Sequence, residues 1–174
     1  KTDRFRFAFI SDLHDYDHGN NNEEVLKVLD EEKPDAVFLA GDMVTSSLEP
    51  RYHSDVAIRF VRDVADRYPL YYGIGNHEEK LRRCPDDFPG EYEKYCDELA
   101  QMGISMLIDE KVSIEEAGID VYGLDLDHEY YRKLMINRIP VDYLNKKFGD
   151  PDPDRISILI AHDPEHFDNY AKWN

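Results

Sequence analysis

The chain has 174 residues with 41% hydrophobic and 12% aromatic content, enough to build one sizeable buried core and too little for two ordinary domains. Its 21 Lys+Arg against 38 Asp+Glu leave a formal net charge of −17, a field that repels nucleic acid and anionic lipid and argues against a nucleic-acid scaffold as partner. A phosphate-bearing substrate would need local positive charge here, and bound metal ions are its natural source.

No stretch of roughly eighteen apolar residues occurs, nor any cleavable leader pattern. Residue 1 is Lys, and an apolar strand pattern begins almost at once. A targeting segment or membrane tether could stand outside this sequence, which leaves the compartment open between cytoplasmic and membrane-associated. Cys84 and Cys96 lack CxxC spacing and are expected to be unpaired thiols.

In chain order, Phe5 to Ile10 reads as a short strand. A polar stretch from Ser11 to Asn22 follows, then a helix marked by Val25, Leu26 and Leu29 behind a possible Asn22 cap. The unit recurs: Ala36 to Ala40 is a buried strand, and Val56, Ala57, Phe60, Val61 and Val64 mark one face of a second helix. Leu70 to Ile74 is a third strand, followed by a long irregular loop and a helix carrying Tyr92, Tyr95, Leu99 and Met102, stopped by Gly103. This alternation implies an α/β fold with a mostly parallel sheet covered by helices.

From Ile104 the pattern changes. Ile104 to Ile108, Val112 to Glu115 and Ile119 to Leu126 read as strands, the last two joined by an Ala117-Gly118 hairpin turn. Tyr130 to Phe148 is a weaker helical region broken near Pro140, and Asp150 to Pro153 is a loop. Ile156 to Ala161 is another buried strand, ahead of a short terminal helix. Neither an internal repeat nor a low-complexity segment is present, and residues 1–174 read as one domain.

Four apolar strands end in polar residues, where open α/β sheets gather ligand-binding groups. They are Asp12-Leu13-His14, Gly41-Asp42, Gly75-Asn76-His77-Glu78 and Ala161-His162-Asp163. Asp offers an anionic oxygen able to bridge two ions, His a neutral nitrogen and Asn an uncharged carbonyl oxygen. Such a mixed set favours manganese, iron or zinc over an all-oxygen calcium or magnesium site. His18, His53, His128 and His166 belong to no such pattern and read as structural. Asp15 and Asp17 flank the first loop as possible accessory contacts, and Arg82 and Arg83 read first as a solvated charge run.

These motifs resemble the calcineurin-like metallophosphoesterase family, whose ordered signature is DxH, GD, GNH[DE], a later His and GHxH. Four of the five stand here in order, from Asp12 to His162. The GNHE tetrapeptide alone should arise by chance in about one chain of this length in a thousand.

The resemblance implies a two-sheet sandwich flanked by helices. It implies that Asp12 and His14 bind a first metal, Asp42 bridges both, and Asn76 and His162 bind a second. A bridging water ionised by two ions roughly 3.5–4 Å apart would then attack phosphorus in a monoester, diester or pyrophosphate. His77 would protonate the leaving oxygen or stabilise its growing charge, and Glu78 would hold the His77 ring in orientation. The absence of GHxH before Asn174 implies a domain incomplete at its C-terminal end and weak in metal binding. The wording of GNHE and AHDPE resembles a bacterial branch often tethered to membranes, some of whose members hydrolyse nucleotide-linked lipid A precursors. The rival expectation is a non-catalytic member kept as a protein-binding module, which predicts damage to the ligand set; the four motifs show none.

Overall fold

The computed structural model describes residues 4–48, 52–131 and 138–173. Among the described residues, seven strands and six α-helices follow the order β1 (Phe7–Ile10), α1 (Glu23–Glu32), β2 (Ala36–Ala40), α2 (Asp55–Ala65), β3 (Leu70–Gly73), α3 (Asn76–Arg83), α4 (Glu91–Gln101), β4 (Met106–Leu107), β5 (Glu110–Ile114), β6 (Ile119–Gly123), α5 (Tyr143–Phe148), β7 (Ile156–Ile160) and α6 (Phe167–Tyr170). Short 3₁₀ turns cover His128–Tyr131 and Pro164–His166.

Two sheets form. The first has the order β1-β2-β3-β4, all parallel; the second is β5-β6-β7, with β5 antiparallel and β7 parallel to β6. Strand periodicity explains how they stack. On β2, Val37 and Leu39 join the helix-side core, with Phe60 and Val64 of α2 and Leu99 of α4. The alternate residues Ala36, Phe38 and Ala40 face the second sheet and meet Leu107, Ile119, Val121 and Ile160. A strand buried on both faces must be apolar throughout, which is why β2 carries no polar residue. The far side of the second sheet is covered by Tyr143, Leu144 and Trp173 around Tyr122. The architecture is α/β in four layers, two sheets between helices, as the sequence led us to expect.

Differences from the expectation are local. The loop foreseen after β3 begins with a helix, α3, starting at Asn76 itself. Its signal was hidden because Leu81 is its one apolar side chain; Gly75 and Glu78 supply the start instead, with Glu78 Oε2 accepting from the Gly75 N–H at 3.0 Å. Asn22 precedes α1, but its backbone is left-handed and its side chain accepts from the His18 N–H rather than capping. The strand foreseen from Ile119 to Leu126 ends at Gly123, and that foreseen from Ile104 to Ile108 keeps only Met106–Leu107. The hairpin between β5 and β6 has a four-residue connection, Glu115 to Gly118. Within Tyr130 to Phe148, residues 132–137 lie outside the described residues. Cys84 and Cys96 are free thiols. No helix among the described residues is long and apolar enough to cross a membrane.

Candidate metal centre

The parallel strands β1, β2 and β3 end side by side, so the residues following them share one edge of the first sheet. The chain leaves β1 and β2 in left-handed backbone: Asp12, His14, Asp15 and Asp42 have φ of 59°, 52°, 51° and 54°. Non-glycine residues avoid this region unless their surroundings impose it, and they gather at functional sites when they do not. Here the imposing contacts are backbone bonds between the two loops. The N–H groups of Asp12, His14 and Asp15 donate to the carbonyls of Gly41, Asp42 and Met43 at 3.2, 2.9 and 2.7 Å.

The GD and GNHE glycines have a steric cause. A Cβ on Gly41, whose φ is +82°, would overlap the Gly75 backbone, and a Cβ on Gly75 would overlap the backbone and carboxylate of Asp42. The two loops lie too close for any side chain at either position.

All five expected metal ligands converge. Donor atoms of Asp12, Asp42 and His162 lie within 4.8 Å of one another, as do those of His14, Asp42 and His77. Asn76 Oδ1 is 3.2 Å from His162 Nε2, and His162 Nε2 is 3.2 Å from Asp42 Oδ2. His162 arrives from β7 in the second sheet, bridging 120 residues of sequence from Asp42 to reach the same point (162 − 42 = 120). Its Nδ1–H donates to the Ala40 carbonyl at 2.8 Å, which turns Nε2 toward the cluster.

Electrostatics agree with this crowding. Burial by itself would raise the Asp42 carboxyl, but the His162 hydrogen bond and charge outweigh it and hold Asp42 below the usual range. Burial conversely lowers His162, yet the same bond to Asp42 pushes it up to about 9. The donor set fits a divalent cation on chemical grounds: mixed carboxylate, imidazole and amide oxygen, with His162 Nε2 held among them so that a cation would displace its proton and take its place.

His77 lies at the rim of this cluster, with Nε2 3.7 Å from Asp42 Oδ2. Burial lowers its pKa. Its orienting partner is Ser46, whose backbone N–H donates to Nδ1 at 2.8 Å and whose hydroxyl is also 2.8 Å away. Glu78, expected from the sequence to steady this ring, does something else. Its fully buried carboxylate accepts from the N–H groups of Asp42 (2.9 Å), Met43 (2.8 Å) and Gly75, and from the Tyr72 hydroxyl (2.8 Å). Burial and the nearby Asp42 charge raise its pKa, against the pull of these donors. The expectation failed because Glu78 sits at the third position of α3, where its side chain turns back toward the helix start.

Several contributors escaped the sequence. Ser46, Ala40 and Tyr72 carry no motif signal, and Tyr95, read as helix packing, also bonds its hydroxyl to that of Tyr72 at 2.8 Å. Arg82 and Arg83 are committed to Asp125 and Glu79 at 2.6 and 3.1 Å. Asp17 accepts from the N–H groups of Gly19, Asn21 and Asn22, and Asp163 from that of Glu165, both local turn roles.

Comparison with curated proteins gives no match. The family profile described as calcineurin-like phosphoesterase matches residues 5–174, which takes in every residue brought together above. On that match the chain belongs to the calcineurin-like phosphoesterase family, a family of hydrolases acting on phosphate esters.

Proposed function

We propose that the protein hydrolyses a phosphomonoester, phosphodiester or pyrophosphate with two divalent cations, manganese, iron or zinc. One cation would be held by Asp12, His14 and Asp42, the other by Asp42, Asn76 and His162. The observation that supports the reading is the meeting of these side chains from four strand ends, with Asp42 common to the Asp12–Asp42–His162 and His14–Asp42–His77 groups. Bound ions of this kind supply an activated water and neutralise phosphate oxygens, which offsets the repulsion expected from a chain of net charge −17.

The remaining work falls to the chain's own groups. Asp42 can be shared because its backbone is pinned by Glu78. His77 accepts at Nδ1 from the Ser46 N–H, so the neutral ring carries its proton on Nε2, the nitrogen on the Asp42 side. That tautomer suits His77 to donate a hydrogen bond to the leaving oxygen as charge grows there. Gaining a second proton on Nδ1 would break the Ser46 bond. The geometry therefore favours charge stabilisation over full protonation.

The test is metal analysis of the full-length protein joined to a substrate screen. The protein is stripped with a chelator, reloaded with each cation, and assayed on p-nitrophenyl phosphate, bis(p-nitrophenyl) phosphate and a nucleotide-linked pyrophosphate. Turnover should appear only after reloading and vanish with the bound metal in Asp42→Ala. Protein that takes up no divalent cation would refute the reading and favour a protein-binding module.

A further inference from the structure

Beside the metal cluster the protein carries a second oriented histidine. Asp15 has one carboxylate oxygen accepting from the Ala57 N–H at 2.7 Å, at the start of α2, and the other against His53 Nδ1. The Asp15 side chain is 2% exposed and that of His53 53%. The carboxylate is sunk and the imidazole displayed. A carboxylate on Nδ1 fixes the ring and its tautomer and leaves Nε2 to present itself to a ligand. Neither residue belongs to the motifs above, and the metal cluster uses neither.

His53 lines a pocket of about 280 Å³ together with His14, Asp15, Tyr16, Thr45 and Tyr52. His14 joins this pocket to the cluster, since its ring stands edge-on to that of His77 with centroids 5.0 Å apart. The pocket therefore opens beside the group that would attend the leaving oxygen, where the alcohol half of an ester has to go. Its size suits one ring rather than a long chain. With Asp15 covered, the pocket offers aromatic faces and imidazole nitrogens rather than exposed charge of either fixed sign. Flat faces beside a hydrogen-bonding nitrogen match a hydroxylated ring.

We infer that this pocket is the leaving-group subsite, in which His53, positioned by Asp15, hydrogen-bonds a hydroxyl of a sugar or nucleoside alcohol esterified to the phosphate. The inference rests on the phosphoesterase reading given above, but its test needs no hydrolysis. Full-length protein labelled at histidine and tyrosine rings is titrated with methyl β-D-glucopyranoside, uridine and methanol and followed by NMR. Both or either of the ring alcohols should shift the His53 and Tyr52 signals saturably, while methanol does not. His53→Gln should weaken that binding at least tenfold. Asp15→Asn should move the Nδ1 signal of His53 and weaken binding with metal content unchanged. Tighter uridine identifies a nucleoside ester and a tighter glycoside a glycosyl ester; each supports the subsite. Ring alcohols that leave His53 unmoved, or bind His53→Gln as well as the parent, overturn it. Ring binding in a protein that turns over no phosphate ester would instead overturn the phosphoesterase reading and leave the pocket standing.

Discussion

The Glu78 carboxylate takes the Asp42 N–H at 2.9 Å across 36 residues of sequence, so it holds Asp42 and not its own neighbour His77. Three backbone donors and the Tyr72 hydroxyl converge on that one buried group.

Glu78→Gln should therefore act on stability and metal affinity together. The amide –NH₂ must face a backbone N–H, leaving a buried donor unsatisfied at a cost of about 1–3 kcal/mol. Denaturant midpoints and metal titration check this. A variant of unchanged stability and metal content whose turnover alone collapses would restore the role of orienting His77.

His77→Ala should lower turnover by about 10²- to 10³-fold with metal content nearly intact, the size expected for losing one hydrogen-bond donor aimed at developing charge. Ser46→Ala removes only the hydroxyl and keeps the backbone N–H bond to Nδ1, so its loss should stay under about tenfold. Steady-state kinetics beside metal analysis separates the two. Equal losses in both variants would show that the hydroxyl, not the N–H, sets the ring.

The two loops that build the cluster were legible as GD and GNHE because the glycines, the Asp and the Asn must stand in fixed order where strands end. The buried strand β2 was legible from its uninterrupted apolar run, and β7 from Ile156, Ile158, Leu159 and Ile160 around Ser157, although only Ile160 of these is fully buried. Ser46 on His77, Asp15 on His53 and Glu78 on Asp42 were not. Each contact joins positions 31 to 38 residues apart, and no local pattern encodes which of many polar side chains will meet. The start of α3 escaped too, since a helix with one buried leucine has no apolar stripe to read.

Away from the site, Asp120 accepts from Ser113 Oγ, Lys111 Nζ and Arg155 Nε at 2.6, 3.2 and 2.7 Å. Burial alone would raise its carboxyl, but these donors together hold it below its usual value of 3.8. A carboxyl depressed in the folded state contributes stability that is present above 3.8 and is lost as pH falls through the folded value. Asp120→Asn should unfold more easily than the parent at pH 7, with the gap closing as pH drops below 3.8. Thermal melts across that range read it directly. A gap that stays constant with pH would mean the three donors do not favour the charged form.

The left-handed turns at Asp12, His14 and Asp15 bear on how this corner of the molecule opens. Their three N–H groups all end on the loop of Gly41, Asp42 and Met43, so none can be released alone while the other two hold the strands' ends together. Strained backbone of this kind is kept only by its surroundings, and it relaxes once they part. Deuterium should accordingly enter these three amides at one shared rate, as a single unit that opens well below the free energy of the buried β2 amides. A divalent cation seated between Asp12 and Asp42 would slow all three by the same factor, which makes their exchange a gauge of occupancy that needs no substrate.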